Sequence, residues 1–396
     1  MGSREALSEL ILVANARMPS ERAQSLQVAQ VSGAFARAGV QTTLLHARRY
    51  PTPSLPEGQD LFDYYGVGAG PRPRVVALPN LDWIDRVPTS AQFIPARIQE
   101  LSFARGAARW VRKHAPGALV LSRELETARH LVRSKGTPVF LEVHRVPAGK
   151  LRRKWLLEAA RGTRGVVAIS GGVRDDLVEL GLQPDDISVE HDAVEAGRFA
   201  HLLSRAEARA ELGLPEDCQL VVYTGGLMTW KGVELLIDAA RRLPELLFVI
   251  AGGMKSDVER LRPLAEGLEN LRLDGFQPPE RIALYLAAGD LGVIPNRSTP
   301  EISARYTSPL KAFESMAAGL PLVASDLPSL REILVDESHA VFVPADSGEV
   351  LAEGVQRLMS DPELRASMAF NGRARAADIS WDARAERLLA WMAARS

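Results

Sequence analysis

Arg305-Tyr-Thr-Ser308-Pro-Leu-Lys-Ala-Phe-Glu314-Ser-Met-Ala-Ala-Gly319-Leu-Pro-Leu-Val-Ala-Ser-Asp326-Leu-Pro-Ser-Leu-Arg-Glu-Ile-Leu334 reads as one loop, helix, strand, helix unit. Ser308 suits an N-cap and Pro309 the first helical position, while Gly319 is the residue without Cβ that can turn left-handed and close the helix. Leu310, Phe313 and Ala317 share an apolar stripe, residues 320–324 form a short uncharged strand, and Asp326 and Ser329 stand where it yields to the next helix. A helix entered through Ser-Pro after a polar loop leaves several backbone N–H groups without intrahelical partners and carries partial positive charge there. The start running from Ser308 through Pro309 and Leu310 to Lys311 is therefore a place for phosphate, although any capped helix start shares the property. Glu314, on the following turn, could offer its carboxylate to a vicinal diol such as ribose, or pair at the surface with Lys311.

Upstream, short apolar runs at residues 10–14, 42–45, 75–78, 118–121, 139–143 and 166–169 alternate with helix candidates at 24–38, 98–114, 124–134, 150–161 and 173–180. The runs lack internal polar alternation, which implies strands buried on both faces and hence a parallel sheet flanked by helices. Residues 189–200 lack an apolar period, and the pattern then restarts with strands at 220–223, 247–251, 291–294, 322–324 and 341–343. Two doubly wound α/β domains are expected. One covers residues 1–195, joined by a last amphipathic helix over 380–396 that carries Leu388, Leu389 and Trp391; the other covers 196–379. Such sheets bind ligands outside the carboxyl ends of their strands. The polar stretches 15–22, 224–231 and 296–308, with His144, Ser170 and Asp326, all come directly after strands.

Tyr223-Thr-Gly225-Gly226-Leu-Met-Thr-Trp-Lys231-Gly is a strand end, a glycine-bearing loop and a lysine at a helix start. Lysine opposes the helix dipole there, so Lys231 should have an anionic partner. A diphosphate would serve, and a solvent-facing lysine is the plain alternative. His144 ends the run 139–143, where it could hydrogen-bond a sugar hydroxyl or be satisfied by backbone. The first loop, Met18-Pro-Ser20-Glu-Arg22-Ala-Gln-Ser, lacks the Gly-x-Gly-x-x-Gly of nicotinamide or flavin enzymes, which argues against a dinucleotide oxidoreductase. Ser20 or Arg22 could lie near a donor or acceptor, but a capped helix start accounts for the segment as well.

The 396 residues are 46% hydrophobic and 24% charged, enough for two cores, and a formal net charge of -1 builds no field for nucleic acid. Through Glu195 there are 26 Lys+Arg against 21 Asp+Glu, leaving 22 against 28 after it, so the first half is mildly basic. Cys218 is the single cysteine, which excludes an internal disulfide and fits a reducing compartment. The first apolar run comes after Glu5 and Glu9 without a basic lead, as a strand would and a signal peptide would not. No uncharged stretch approaches the ~18 residues needed to span a bilayer. A cytoplasmic protein is expected, any membrane contact being peripheral at the inner face. The helix from Lys150 to Arg161, opening Lys150-Leu-Arg-Arg-Lys-Trp155, could rest there on anionic lipid heads or be a solvated basic face. Without an Asp-x-Asp or a His/Cys cluster, neither a metal nor a cofactor is expected.

Residues 308–326 resemble the donor-site segment of family 4 retaining glycosyltransferases, and 166–170, 194–199, 223–232 and 290–295 resemble further segments of that family in the same order. The resemblance implies the GT-B fold: two Rossmann-like domains facing across a cleft, with the carboxyl-terminal helix crossing back to the first. It implies retaining, metal-independent hexosyl transfer from a nucleoside diphosphate sugar to a hydroxyl of a glycan, a lipid-linked sugar or a small molecule, as in polysaccharide biosynthesis. The helix start at Ser308 and Lys231 would receive the diphosphate, Glu314 the ribose and His144 the donor sugar, with no protein nucleophile. Two positions depart from the family pattern. Tyr306 stands where a glutamate is usual, and Gly226 where an arginine is usual; Arg305 or Arg297 could supply the missing phosphate contact. The amino-terminal half, which matches less closely, would face the acceptor. The rivals are a sugar-nucleotide epimerase on the same fold, which would need paired carboxylates, and a nucleotide-sugar-binding module without activity.

Overall fold

The computed structural model describes residues 8–133 and 136–396; Glu5 and Ser134 lie outside them. The chain divides into two compact units. The first comprises the chain up to Ile169, then Val173–His191 and Trp381–Ser396; the second comprises Ser170–Gly172 and Asp192–Ser380.

In the first unit, seven parallel strands run in the order β3-β2-β1-β4-β5-β6-β7. They are β1 (Glu9–Ala14), β2 (Gln41–Ala47), β3 (Arg74–Leu78), β4 (Leu119–Ser122), β5 (Val139–Val143), β6 (Gly165–Ala168) and β7 (Ile187–Val189). The central β1 explains the arrangement, since Leu10, Ile11, Leu12, Val13 and Ala14 are all sealed from solvent. A strand apolar on both faces is stable only with helices on each side, which is what parallel crossovers supply. The last helix, Trp381–Ala393, belongs to this unit and buries Trp381, Arg384, Leu388 and Met392. Its Trp391 ring lies 5.4 Å from that of Phe140 and covers Gly165, where any side chain would overlap the indole. Arg37 Nη2, from the helix Ala23–Arg37, reaches Asp382 Oδ1 at 2.6 Å.

The second unit holds six parallel strands in the order β10-β9-β8-β11-β12-β13. These are β8 (Leu220–Thr224), β9 (Leu247–Ala251), β10 (Leu271–Gly275), β11 (Leu291–Ile294), β12 (Leu322–Ser325) and β13 (Ala340–Val343). Its core runs through Val221, Phe248, Ile250, Val293 and Val323 on one face, with Phe313, Met316 and Leu330 in a second cluster. In both units the direction of winding reverses at the first strand: β1 lies between β2 and β4, and β8 between β9 and β11. Two Rossmann-like sheets are thus in place, and each opens a crevice at the carboxyl ends of the strands where winding reverses.

β7 and β10 have no counterpart in the apolar pattern. Both are edge strands; β7 has three residues, and every residue of β10 is half-buried. β10 carries charge into the sheet because Arg272 Nη2 meets Asp274 Oδ2 at 2.6 Å and Tyr285 Oη donates to the same oxygen at 2.7 Å.

Candidate active site

The crevice of the second unit is lined by the segments leaving β8 and β11. After β8, Gly225 (φ +128) turns the chain, and its N–H donates to Ala251 O at 2.9 Å. Tyr223, sealed at the strand end, donates its hydroxyl to Gly226 O at 2.6 Å, which fixes the loop. The chain then makes the short turn Thr229–Lys231, closed by Gly232 in the left-handed region (φ 70). A Cβ at Gly232 would overlap the Pro295 carbonyl, so glycine lets residues 230–232 lie directly against the end of β11. Arg297 N–H and Ser303 Oγ both donate to Trp230 O, at 3.0 and 3.2 Å, tying the two segments together.

This packing buries Lys231. Only 9% of it is exposed, and its ammonium sits 4.0 Å from the Trp230 ring centroid. Burial pushes its pKa down to about 7. The solvent-facing alternative for this lysine is therefore wrong.

The helix Leu310–Ala318 ends as its sequence implies, with Gly319 at φ 69. Its beginning does not. Pro309 is the N-cap residue and there is no side-chain cap, because the Ser308 hydroxyl accepts instead from Asp192 N–H at 2.8 Å. Ser170 Oγ donates to Arg305 O at 2.9 Å and Thr307 Oγ1 to Ile302 O, so the loop into the helix is held by side chains while the helix end keeps no cap of its own. Leu310 is half-buried and Pro309 buried.

Lys311 is buried too, at 7% exposure, with its Nζ 3.7 Å from the Tyr223 ring centroid and without a hydrogen-bond partner among the described residues. Burial first, and the Lys231 charge second, hold its pKa well below the usual ammonium value. The alternative of a surface pair between Lys311 and Glu314 does not form. Glu314 instead approaches Arg198, with Oε1 and Nη1 3.7 Å apart. Burial raises the Glu314 carboxyl pKa, opposed by Arg198 and then Lys311.

Arg305 and Arg297 are drawn elsewhere. Arg305 Nη1 is 3.9 Å from Glu301 and its guanidinium lies over Tyr306, whose hydroxyl donates to Glu301 at 3.2 Å; Arg297 Nη1 is 3.8 Å from Asp346. The second cation beside Gly225 and Gly226 is Lys311: a Cβ on Gly225 would touch its Cε at 3.4 Å and its Nζ at 3.6 Å. Asn296, after β11, is fully buried, and neither Oδ1 nor Nδ2 has a hydrogen-bond partner among the described residues. Sequence reasoning included Asn296 only within a polar stretch. The signal was its place after a buried strand and a proline, where an amide has no backbone to satisfy it.

In the first unit, His144 comes just after β5 and points its Nε2 at Glu142 Oε1 (2.7 Å) and Arg123 Nη2 (2.9 Å). Nε2 thus lies between a carboxylate and a guanidinium, and the ring's other nitrogen, Nδ1, belongs to a side chain 33% exposed. Glu142 lies inside the apolar strand β5, and its Oε2 meets Arg384 Nη2 at 3.1 Å. Burial favours its neutral form, but Arg384 and His144 outweigh this and hold the carboxyl well below the usual range. A lone glutamate in Val-Phe-Leu-Glu-Val was the sequence signal for this network. Ser20 is buried, its backbone N–H and O both bonded to the Tyr65 hydroxyl at 2.7 and 2.9 Å, and its Oγ accepts from Arg22 N–H at 3.2 Å. That hydroxyl is engaged in the local turn, and Arg22 is the exposed N-cap residue of the helix Ala23–Arg37. In the helix Lys150–Gly162, Trp155 is half-buried with the Arg129 guanidinium 4.6 Å from its ring centroid, and Arg152 Nη2 reaches Glu126 at 2.8 Å; Lys150, Leu151, Arg153 and Lys154 stay exposed. Among the described residues, no helix is long and apolar enough to cross a membrane, and no three His, Cys, Asp or Glu side chains are grouped to hold a metal.

The sequence profile described as Glycosyltransferase Family 4 matches residues 24–198, and that described as Glycosyl transferases group 1 matches residues 204–375. An alpha-D-kanosaminyltransferase of Streptomyces kanamyceticus is 30% identical over 364 residues, which span 84% of either chain. The chain is a family 4 glycosyltransferase. A D-inositol 3-phosphate glycosyltransferase of Mycobacteroides abscessus is 31% identical over 225 residues, covering 54% of this glycosyltransferase and 48% of that protein. The fold is that of a sucrose-phosphate synthase from Thermosynechococcus elongatus, with a TM-score of 0.76 at 19% identity over 96% of this chain and 97% of that one. Anabaena HepE, solved in complex with UDP, gives a TM-score of 0.72 at 15% identity over 96% and 98%. The architecture is GT-B, and the substrate class is a nucleotide sugar.

Proposed function

We propose that this glycosyltransferase moves a hexosyl group from a nucleoside diphosphate sugar to an acceptor hydroxyl with retention of anomeric configuration and without a metal ion. The observation that carries the reading is Lys231, a lysine buried at the crevice beside β8 against an aromatic ring, with no ion pair among the described residues. A buried cation is stable when an anion completes it. The leaving diphosphate supplies that anion, and in return the fixed charge stabilises the negative charge that grows as the glycosidic bond breaks.

The donor therefore lies on residues 192–380, with its diphosphate over Gly225, Gly226 and the uncapped start Ser308, Pro309, Leu310 and Lys311, near Arg305 and Tyr306. Glu314, steadied by Arg198, takes the ribose diol. We assign to His144 a hydrogen bond to the donor sugar, supported by the Glu142 contact that orients its ring. The acceptor belongs to residues 1–191 with the last helix, near Arg22. With no protein nucleophile assigned, the acceptor hydroxyl attacks from the face the diphosphate leaves. We place the enzyme in the cytoplasm, touching anionic lipid through Lys150, Leu151, Arg153 and Lys154; co-sedimentation with vesicles containing anionic lipid tests this, and equal binding to neutral vesicles rejects it.

A thermal-shift screen against a panel of nucleoside diphosphate sugars tests the main reading, because a ligand of the folded state raises Tm by mass action. The cognate donor should raise Tm in the wild type and much less in Lys231→Ala, and the same variant should lose turnover. Binding and turnover unaffected by that change would remove Lys231 from the mechanism.

A further inference from the structure

Three unsatisfied polar atoms, on two side chains, belong to the segments that line one crevice. Lys311 Nζ and both polar atoms of the Asn296 amide are buried without hydrogen-bond partners among the described residues, and Lys231, close enough to act on Lys311, is buried as well. Their proximity is a consequence of the chain path. Residues 230–232 run against Pro295 and Arg297, which places Lys231 next to Asn296, and Lys311 packs on Tyr223 and Gly225 at the end of the adjacent strand β8. A native interior leaves few such atoms unpaired, and three on segments at the ends of adjacent strands point to a missing polar ligand. Two ammonium donors and an amide N–H₂ can only be satisfied together by a ligand rich in acceptor oxygens and carrying more than one negative charge.

We propose that Lys311 and Lys231 form a two-lysine clamp, closed by the Asn296 amide, that grips the donor's diphosphate, and that the clamp takes up a proton from solvent as the diphosphate enters. This rests on the transferase reading and adds to it the Lys311 side chain, Asn296 and the proton. Two like charges buried side by side repel, so the empty clamp sheds a proton. The pKa directions agree: Lys231 is brought to about 7 and Lys311 lower still. The groups that face the pair are the neutral phenol of Tyr223, the indole of Trp230, and Glu314, which lies on the Lys311 helix and is itself engaged by Arg198; Glu234, on the helix after Lys231, bears on the Tyr223 phenol and is paired with Arg260. Only Glu314 opposes the discharge, and it ranks below Lys231 among the influences on Lys311. When the diphosphate arrives, the attraction of its charges favours both ammonium forms, and the missing proton returns from the buffer.

Calorimetric titration with UDP and with GDP at pH 8.5, in two buffers of different ionisation enthalpy, reads this directly. The terminal phosphate of a nucleoside diphosphate, with a second pKa of ≈ 6, is fully ionised at that pH, so any proton taken up comes to rest on the protein. The expected result is uptake of at least one proton per nucleotide bound, because both lysines titrate below that pH while the clamp is empty. Lys311→Met should lower affinity by tenfold or more and reduce that uptake, while the free variant melts no lower than the wild type, since it loses a buried charge that had no partner. Asn296→Leu should also weaken binding without lowering the Tm of the free protein. Wild-type binding with Lys311→Met unaltered in affinity and proton uptake overturns the clamp and leaves the transferase reading standing. A lower Tm for free Lys311→Met overturns it too, because the lysine would then be a structural prop on Tyr223. A wild type that binds no nucleoside diphosphate brings down the reading itself.

Discussion

At the scale of single residues, the second unit stores its function as local debt in polar satisfaction. Glu314 is the clearest case short of the lysines: its carboxyl is largely enclosed, raised in pKa by that enclosure, and held by one guanidinium at 3.7 Å, longer than a direct charged hydrogen bond. That leaves acceptor capacity for a ligand's hydroxyls. A hydrogen bond to a charged group contributes about 1.5–3 kcal/mol, so Glu314→Ala should weaken UDP and GDP alike by roughly tenfold to a hundredfold. Both carry ribose, so calorimetry showing a loss for one base only would reject the ribose role. Lys231 was legible in the sequence because a lysine at a helix start opposes the dipole. Lys311 was grouped with the helix start but its burial was not legible, since a lysine early in a helix is ordinarily solvated. Ser308 misled for a different reason. A serine before a proline is a good cap by local rules, and only folding brings Asp192, 116 residues away in sequence, to claim its hydroxyl.

At the scale of elements, the site depends on how closely the turn after β8 approaches β11. Gly232 sets that distance. Gly232→Ala meets two obstacles, the left-handed φ of 70 and overlap with the Pro295 carbonyl, whereas Gly213→Ala, at φ 63 with open space around its Cβ, meets only the first. Left-handed backbone costs about 1 kcal/mol for an ordinary residue. Gly213→Ala should therefore lower Tm by a few degrees, and Gly232→Ala by clearly more, with weakened nucleotide binding because Lys231 is carried on the same turn. Equal losses in the two melts would show that the approach to β11 is slack. Most elements could be read from apolar runs because parallel strands buried on both faces have no polar alternation to obscure them. β10 escaped because an edge strand half-exposed along its length needs no such run, and Arg272 and Asp274 neutralise each other within it.

At the scale of the whole molecule, the chain leaves the first unit, builds the second, and returns for its last helix, so the first unit is completed only by residues at the far end of the sequence. Arg384 is the residue that makes the return specific. Sealed from solvent, it donates to His191 O at 2.7 Å and pairs with Glu142, the same carboxylate that orients His144. Removing one partner of a buried pair leaves the other charge unpaired, at about 3–5 kcal/mol. Glu142 keeps Arg123 Nε at 3.3 Å and His144 Nε2 at 2.7 Å, so Arg384→Met should destabilise the first unit by less than that full amount, and Arg384→Met with Glu142→Gln by less than the two single losses combined, as measured by urea unfolding. The pH dependence carries a definite sign. Glu142 has a folded pKa well below its unfolded value, so its contribution is fully present above the ordinary carboxylate range of about 4.3 and is lost as pH falls toward the folded value. Wild-type stability should therefore drop more steeply with acid below about pH 4.5 than that of the double variant, which has no carboxylate left to protonate at this position. Parallel acid profiles for the two proteins would mean that the pair does not hold the returning helix, and the orientation of His144 would then need another cause.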